Sequence, residues 1–528
     1  MNAETIQRRR WIILSVIIVG LLAIVIDNTV LNVALKTIAE PRGGLGASQS
    51  QLEWAINSYT LVFAGLLFTF GVIGDKIGRK RMLMIGLVMF GIASLLSAYS
   101  RNPDQLIFAR AAMGLGGAAV MPQTLSIISN IFEPQERPKA IGLWAMAVGL
   151  GIAAGPVLGG LLLAHFWWGS VFLINVPVTI FGVIAAFFLV PESKNSGAGG
   201  IDYVGVLLSI AGLILLVFGI VQGGDTGSWL RLDVIGPIVG GLAVLGVFGW
   251  YETRIQHPSL DVRLFRDRRL SASVGALALV FFGMGGVFFF TSFYLQNVRG
   301  YSALDAGLLT VPFAVGQLIL SPRSAGMVRK YGPKAVGATA MIVNALALAG
   351  YAVLGTTTPI WVLGVLFAIQ GASMGAAMPA ATAAVMEVLP RERAGAGSAL
   401  TNTARQVAVA LSVAVLGSIL AEFYSSKLHP TLAHLPSALQ STASSSITST
   451  QAVAQSLGSK GNFLLAPAND AFVHAMHYTT LVAAAMALLG GLVVLRWMPG
   501  KPRTAAAAEV TLDDELVLLA EEPAAKER

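Results

Sequence analysis

Fourteen stretches of mostly apolar residues, each long enough to cross a bilayer as a helix at about 20 residues, recur along the chain. They lie near 11–35, 53–73, 82–100, 105–129, 140–163, 170–190, 203–222, 234–251, 270–292, 303–325, 335–354, 359–386, 395–420 and 474–497. Little chain is left over for anything else. Only 12% of the 528 residues are charged, where a soluble protein carries about a quarter, and the mean hydropathy is +0.73. The sequence therefore predicts an all-α membrane protein. With no cysteine, disulfides and thiolate metal sites are excluded. The start "MNAETIQRRRWIILSVIIVG" has the basic-then-apolar order of a secretion signal. Its apolar run of 25 residues is too long for one, and no small-residue cleavage site follows, so it reads as an uncleaved first span.

Lys and Arg give the orientation. With the N-terminus inside and the spans alternating, 26 basic residues fall on inner segments and seven (Lys36, Arg42, Arg101, Arg231, Arg299, Lys427, Lys460) on outer ones. Away from the span ends, only Arg110 and Arg405 fall inside spans. Losing one span would invert every later loop, so the bias supports an even number of spans with both termini cytoplasmic. The net charge of +8 then reflects inner loops facing anionic lipid rather than a nucleic-acid partner. Residues 421–473 read as a loosely ordered outer loop rich in Ser, Thr, Ala and Gln, and the end of the chain as a solvated, alanine-rich acidic tail.

A weak internal repeat divides the spans. "GVIGDKIGRKRM" (71–82) closes the second and "AGMVRKYGPKAV" (325–336) the tenth, with Gly78 over Gly332, Lys80 over Lys334 and Asp75 over Arg329. Parallel six-helix repeats with a substrate site between them are a known transporter plan. On that plan 1–10 is a cytoplasmic N-terminus, 11–190 and 270–497 are the two bundles, 203–251 holds two extra spans, and 498–528 is a cytoplasmic tail. The extra spans carry no ionisable residue well inside the membrane and are expected to pack passively or face lipid.

The sharpest local feature is Asp27, inside "LAIVIDNTVLNVAL" (22–35). A carboxylate there costs about 2.5–3.5 kcal/mol on insertion scales. Helix rise places Asp27 about 12 Å from the outer end of its span and Arg110 about 7 Å from the outer end of the fourth. Both lie in the outer half, so Arg110 is the expected partner of Asp27. A membrane carboxylate beside a movable cation can change protonation as a site opens; the plainer alternative is a static salt bridge. In the loop after the second span, Gly71, Gly74 and Gly78 permit close helix approach. Asp75, Arg79 and Lys80 supply charge, with Asp75 placed to latch the inner side. In "GLGIAAGPVLGG" (149–160), Gly151, Gly155, Gly159 and Gly160 strip one helix face of bulk and Pro156 permits a bend, which suits a moving helix as well as ordinary small-residue packing. Trp54, Asn57, Tyr59, Phe63, Met121, Phe290, Phe293, Gln317 and Arg405 are candidates to line a central apolar cavity.

Together these pieces resemble the major facilitator superfamily, and within it the fourteen-span drug:proton antiporters. The residues that carry the resemblance are "IDNTVLNVAL", "GVIGDKIGRKRM", "RAAMGLGGAA", "GLGIAAGPVLGG", "FLINVPV" (172–178), "LQNVRGYSALDAGLLTVP" (295–312) and "TNTARQ". The resemblance implies two six-helix major-facilitator halves plus two extra central helices. It also implies proton coupling through Asp27 and Arg110, a gating loop containing Asp75 and Arg79, and export rather than import through the glycine–proline motif. Departures are Lys36, where the family usually has proline, Arg329, where the second loop copy lacks the acid, and a tenth span whose only acid is Asp305 at its outer edge.

The expected function is a proton-driven exporter of lipophilic small molecules or antibiotics in the cell membrane, working by alternating access. It needs no cofactor or metal, has lipids and protons as its other partners, and is expected to act as a monomer. Export of one dedicated metabolite, import, and a sensor or scaffold on the same fold are the alternatives. No GxxxxGK[ST] loop points to ATP, and no HExxH or GxSxG motif points to an enzyme.

Overall fold

A computed structural model describes residues 3–133, 136–194, 202–255, 258, 262–388, 394–433 and 435–498. The tail expected at 498–528 lies outside them except for Met498, as do the loop residues Arg391 and Arg393. In the first part of the chain the helices are α1 (Ala3–Ala39), α2 (Gln49–Ile77), α3 (Arg79–Ala98), α4 (Pro103–Ile131), α5 (Arg137–His165), α6 (Ser170–Leu173) and α7 (Asn175–Leu189). Then come α8 (Tyr203–Thr226) and α9 (Leu232–Glu252). The rest are α10 (Arg268–Phe293), α11 (Ala303–Leu308), α12 (Val311–Tyr331), α13 (Pro333–Gly350), α14 (Ile360–Val388), α15 (Ala394–Leu432), α16 (Ser437–Ser444), α17 (Ile447–Ser456) and α18 (Leu465–Trp497). Thirteen helices among the described residues are long and apolar enough to cross a membrane, or fourteen when α2, bent by 53° between Leu67 and Thr69, counts as one span. The short α6 runs almost directly into α7, and α11 into α12, each pair making one span.

Local chemistry sets the boundaries. Ser48 caps α2 through a capping box with Gln51, Asn102 caps α4 ahead of Pro103, and Asp267 accepts from the first amides of α10; each satisfies orphan helix donors. The repeat seen in the sequence returns as geometry. Gly78 (φ 122°) ends α2 and starts α3, and Gly332 (φ 85°) ends α12 and starts α13. Both occupy backbone conformations that favour glycine.

Helices α1–α7 pack as one bundle and α10–α15 with α18 as the other. The loops rich in Lys and Arg gather at one end, here the basic side; α16 and α17 form a hairpin at the other. The two extra helices differ in role. Helix α8 packs on both α2 and α15 and so covers the seam between the halves; a Cβ on Gly65 of α2 would lie 2.9 Å from Ile210 Cδ1. Helix α9 packs on α8 and leaves Leu232, Val239, Leu242, Val247 and Trp250 exposed, an apolar surface suited to lipid.

The loop expected to be loosely ordered is largely helical. Helix α15 continues to Leu432 and α18 begins at Leu465, with α16 and α17 between. Ile447, Val453 and Leu464 are buried, and Tyr424 Oη lies 2.6 Å from Thr450 Oγ1. The low hydrophobicity of this segment hid a structure built on small apolar anchors and hydroxyl contacts.

On the hairpin side the halves are shut. Lys36 Nζ donates to the Gln296 carbonyl (3.0 Å), and Gln296 Nε2 donates back to the Val33 carbonyl (2.9 Å). Gln296 sits in a wide π turn, Tyr294–Val298, that ends α10. A Cβ on Gly160 of α5 would lie 2.5 Å from Leu304 Cα of α11, and one on Gly307 would press into the Pro156 carbonyl. Helices α2 and α15 close a third seam.

Candidate functional site

Asp27 and Arg110 meet. The α1 carboxylate is fully buried and the α4 guanidinium is 1% exposed; Arg110 Nη1 donates to Asp27 Oδ2. A buried ion pair holds only if its remaining hydrogen-bonding groups are also satisfied, and here most are. Arg110 Nε donates to the Ala55 carbonyl at 3.1 Å. Its guanidinium carbon lies 4.4 Å from the Tyr59 ring centroid and 5.8 Å from that of Phe172, a cation–π sandwich. Asn175 Nδ2 donates to Asp27 Oδ1 and to Ser94 Oγ, both at 3.1 Å, and Ser94 Oγ donates to the Phe172 carbonyl. Asn28, next to Asp27, donates to Tyr59 Oη at 3.1 Å. Four helices and the short α6 thus converge on one carboxylate. Asn175, Ser94 and Asn28 were missed in the sequence. Asn175 was in view within "FLINVPV", but a lone Asn at the start of a span has no periodic signal.

The gating-loop residues lie on the basic side. Arg79 Nε donates to Asp75 Oδ1 at 2.7 Å, and its Nη1 reaches the Ser126 carbonyl of α4. Gly74 and Gly71 lie against Gln123 and Pro122 of α4. Beyond α7, Glu192 accepts from the Lys80 amide at 3.1 Å and lies 3.6 Å from Arg81, and the Lys80 ammonium donates to the Phe187 carbonyl at 2.6 Å. These contacts bind the loop to its own half while the hairpin side is shut. Glu192, an acid just past a span end, was also missed.

The glycine–proline helix faces two ways. A Cβ on Gly151 would lie 2.9 Å from Val25 Cγ1, one on Gly155 3.1 Å from the Ile26 carbonyl, and one on Gly159 3.1 Å from the Val30 carbonyl. Three glycines four residues apart thus seat α5 on the turns of α1 that carry Asp27, while Gly160 and Pro156 meet α11 of the other half.

The candidate cavity residues have different neighbours. Trp54 packs toward α8, its ring 6.4 Å from Phe218, because the extra helix lies on that side of α2. Tyr59 and Phe63 stack 5.7 Å apart and serve the ion pair and α4, where a Cβ on Gly117 would lie 3.0 Å from the Phe63 ring. Phe290 and Phe293 are buried, with Phe293 5.5 Å from Phe289, and Met121 is buried on α4. Gln317 and Arg405 are part-exposed; the Arg405 guanidinium lies 5.4 Å from the Phe281 ring. Asn57 is fully buried on the α15-facing side of α2. No cluster of His, Asp and Glu among the described residues has the spacing to hold a metal ion.

The Major Facilitator Superfamily profile matches residues 17–413. The chain belongs to the major facilitator superfamily. This major facilitator chain is 32% identical to the multidrug efflux pump LfrA of Mycolicibacterium smegmatis, over 92% of its own length and 96% of the relative's. It is 32% identical to the methyl viologen resistance protein SmvA of Salmonella typhimurium, over 91% and 97%. Its fold is similar to that of a bacterial homologue of the human lysosomal transporter Spinster, with a TM-score of 0.63 at 17% identity, covering 93% of this chain and 98% of that one.

Proposed function

We propose that this transporter exports lipophilic small molecules, antibiotics among them, in exchange for protons. The carrying observation is the Asp27–Arg110 pair: a fully buried carboxylate whose two oxygens are held by a guanidinium and an amide from different helices. Intramembrane ionisable residues mark ion and substrate pathways, and this pair has the elements of a protonation switch. A proton on Asp27 releases Arg110, which retains the Ala55 carbonyl and the Tyr59 face as alternative partners. Relatives named for multidrug efflux and methyl viologen resistance over nearly the full length favour drug export over a dedicated metabolite. The basic side is the cytoplasmic face, by the Lys and Arg bias, so both termini are cytoplasmic. The shut hairpin side is then the outer gate. The protein works as a monomer in the cell membrane, with the proton gradient as its only energy source. Purified protein in liposomes, given an imposed pH gradient and a panel of lipophilic compounds, tests this: uphill export that collapses with a protonophore is expected, and gradient-independent flux of every compound refutes it.

A further inference from the structure

Along α2, Gln49, Glu53 and Asn57 follow one another at helical spacing, 6%, 2% and 0% exposed. Residues i and i+4 share a helix face, and this face meets α15. Gln49 Nε2 lies 3.4 Å from Glu53 Oε1. A Cβ on Gly417 of α15 would lie 2.5 Å from the Glu53 carboxyl carbon, so the carboxylate presses on bare backbone of the opposite half. One turn below Asn57, Leu61 packs with Ala410 and Ala414 of α15. A polar column on one half thus faces a row of small residues on the other.

Two further observations show what the column is for. Neither Oδ1 nor Nδ2 of Asn57 has a hydrogen-bond partner among the described residues. Buried amides are rarely left so, and a group that both donates and accepts orders water. At its upper end the column opens, through Gln49, into a polar cavity of about 590 Å³ that Thr226 of α8, Glu422 and His429 of α15 and Ser445 after α16 also line. That cavity lies on the hairpin side. The approach to Glu53 has no room even for a methyl group on Gly417, so the seam is too tight in this conformation to admit a drug.

We propose that Gln49, Glu53 and Asn57 form a water-filled relay from the hairpin-side cavity into the seam between the halves, with Glu53 as a second protonation site of the transporter. Hydronium in the cavity gives its proton to the Glu53 carboxylate, leaving water and a neutral carboxylic acid; when the seam parts, the proton passes on through water held by Asn57. The charged groups around Glu53 lie on α4 and α15. On α15 the nearest are Glu422, five residues beyond Gly417, with His429 further along the same cavity. On α4, Asp104 accepts from Gln51 Nε2 at 3.3 Å. Arg405 lies twelve residues from Gly417 toward the basic side, about 18 Å by helix rise. Arg110 reaches the Ala55 carbonyl on the α4-facing side of the same α2 turn. The mouth of the column thus holds Glu422, Asp104 and His429 together with the exposed Lys427 of α15, while Arg405 stands deeper.

The relay rests on the proton-coupled reading above, and its test separates the two. Full-length protein in liposomes, with pH set independently on each side, is followed with a trapped pH dye during export of a transported lipophile. In parallel, infrared difference spectra after a pH jump report carboxyl protonation without any substrate. The wild type is expected to show a protonated-carboxyl band that disappears in Glu53→Gln and shifts in Glu53→Asp. Glu53→Gln is expected to lose the dependence of export on cavity-side pH and to move fewer protons per substrate. Asn57→Leu is expected to keep the band and take up protons several-fold more slowly. A wild type that moves no protons overturns antiport and relay together. A proton-coupled wild type with Glu53→Gln indistinguishable from it overturns the relay alone. If Glu53→Gln does not fold, an unshifted band in Glu53→Asp overturns it instead.

Discussion

Replacing Asp27 by Asn keeps the shape of the side chain and removes its titration. The structure shows what else is lost. Asp27 Oδ2 receives Arg110 and Oδ1 receives Asn175. Asparagine offers one oxygen. If that oxygen stays on Arg110, its amide nitrogen meets the Asn175 amide, which already donates to Ser94 Oγ, donor against donor. One buried hydrogen bond is therefore lost, about 1–3 kcal/mol. Arg110→Ala is worse, since removing one partner of a buried pair costs about 3–5 kcal/mol, and here it also empties the space between the Tyr59 and Phe172 rings. Because the two residues touch, the double variant is expected to lose about 0.5–3 kcal/mol less than the single losses summed.

These magnitudes separate a proton switch from a static bridge. As a switch, Asp27→Asn folds with a modest loss, retains part of its exchange in the absence of a gradient, and loses gradient-driven export per folded molecule. As a bridge, it lowers folded yield, and the surviving molecules still couple export to protons with the wild-type pH dependence. Thermal unfolding measures the first quantity; pH-gradient-driven flux in liposomes, normalised to monodisperse protein, measures the second. Normal proton coupling in Asp27→Asn refutes the role assigned to this carboxylate.

Three further outcomes are expected. Asp75→Asn breaks a part-exposed pair with Arg79 worth at most about 1 kcal/mol, so folding is retained while transport falls and the basic side becomes easier to label; unchanged efflux and labelling refute the latch. Gly160→Ala and Gly307→Ala set a methyl group against backbone of the opposite half, an overpacking of about 1–3 kcal/mol confined to the shut state, so hairpin-side reporters become more accessible; because the chain has no cysteine, single introduced cysteines read this cleanly, and unchanged labelling refutes it. Gln296→Ala removes the side-chain bond to the Val33 carbonyl, about 0.5–1.5 kcal/mol, and is expected to open the same face more weakly; a larger effect than Gly160→Ala contradicts the ranking.

The spans were legible because hydropathy over a bilayer length leaves few alternatives, and the loop repeat because glycine at Gly78 and Gly332 answers to backbone geometry. Asp27 and Arg110 stood out because charge inside a span is rare. What remained hidden has a common cause: it depends on which helices touch. Asn175 and Ser94 are ordinary polar residues until two helices bring them to one carboxylate. Trp54 meets Phe218 of α8, and no periodicity in α8 announces that contact. The sequence of 421–473 reads as loose because its buried anchors, Ile447, Val453 and Leu464, are too sparse to form a pattern. Lys36 looked like a departure from the family; in three dimensions it holds the opposite half by the Gln296 carbonyl.

The ion pair lies inside one half, yet in the proposed exchange cycle the halves move relative to each other, so on that mechanism protonation of Asp27 acts at a distance. The packing offers one contiguous route. Asp27 is flanked on α1 by Val25, Ile26 and Val30, and these lie against Gly151, Gly155 and Gly159 of α5 with no α5 side chain between. The same α5 helix carries Pro156 and Gly160, which meet Gly307 and Leu304 of α11 across the seam. A shift of α1 when Arg110 is released would pass to the bare backbone of α5 through Val25, Thr29 and Val30, whose β-branched side chains are stiff, and from α5 to α11 by backbone contact. A bulkier residue at Gly155 distinguishes this route from a global effect: the atoms nearest its Cβ are those of Thr29 and Ile26 on α1. Gly155→Ala is therefore expected to alter the pH dependence of transport. If it instead changes hairpin-side accessibility as Gly160→Ala does, while leaving the pH dependence intact, α5 is not the carrier of the signal.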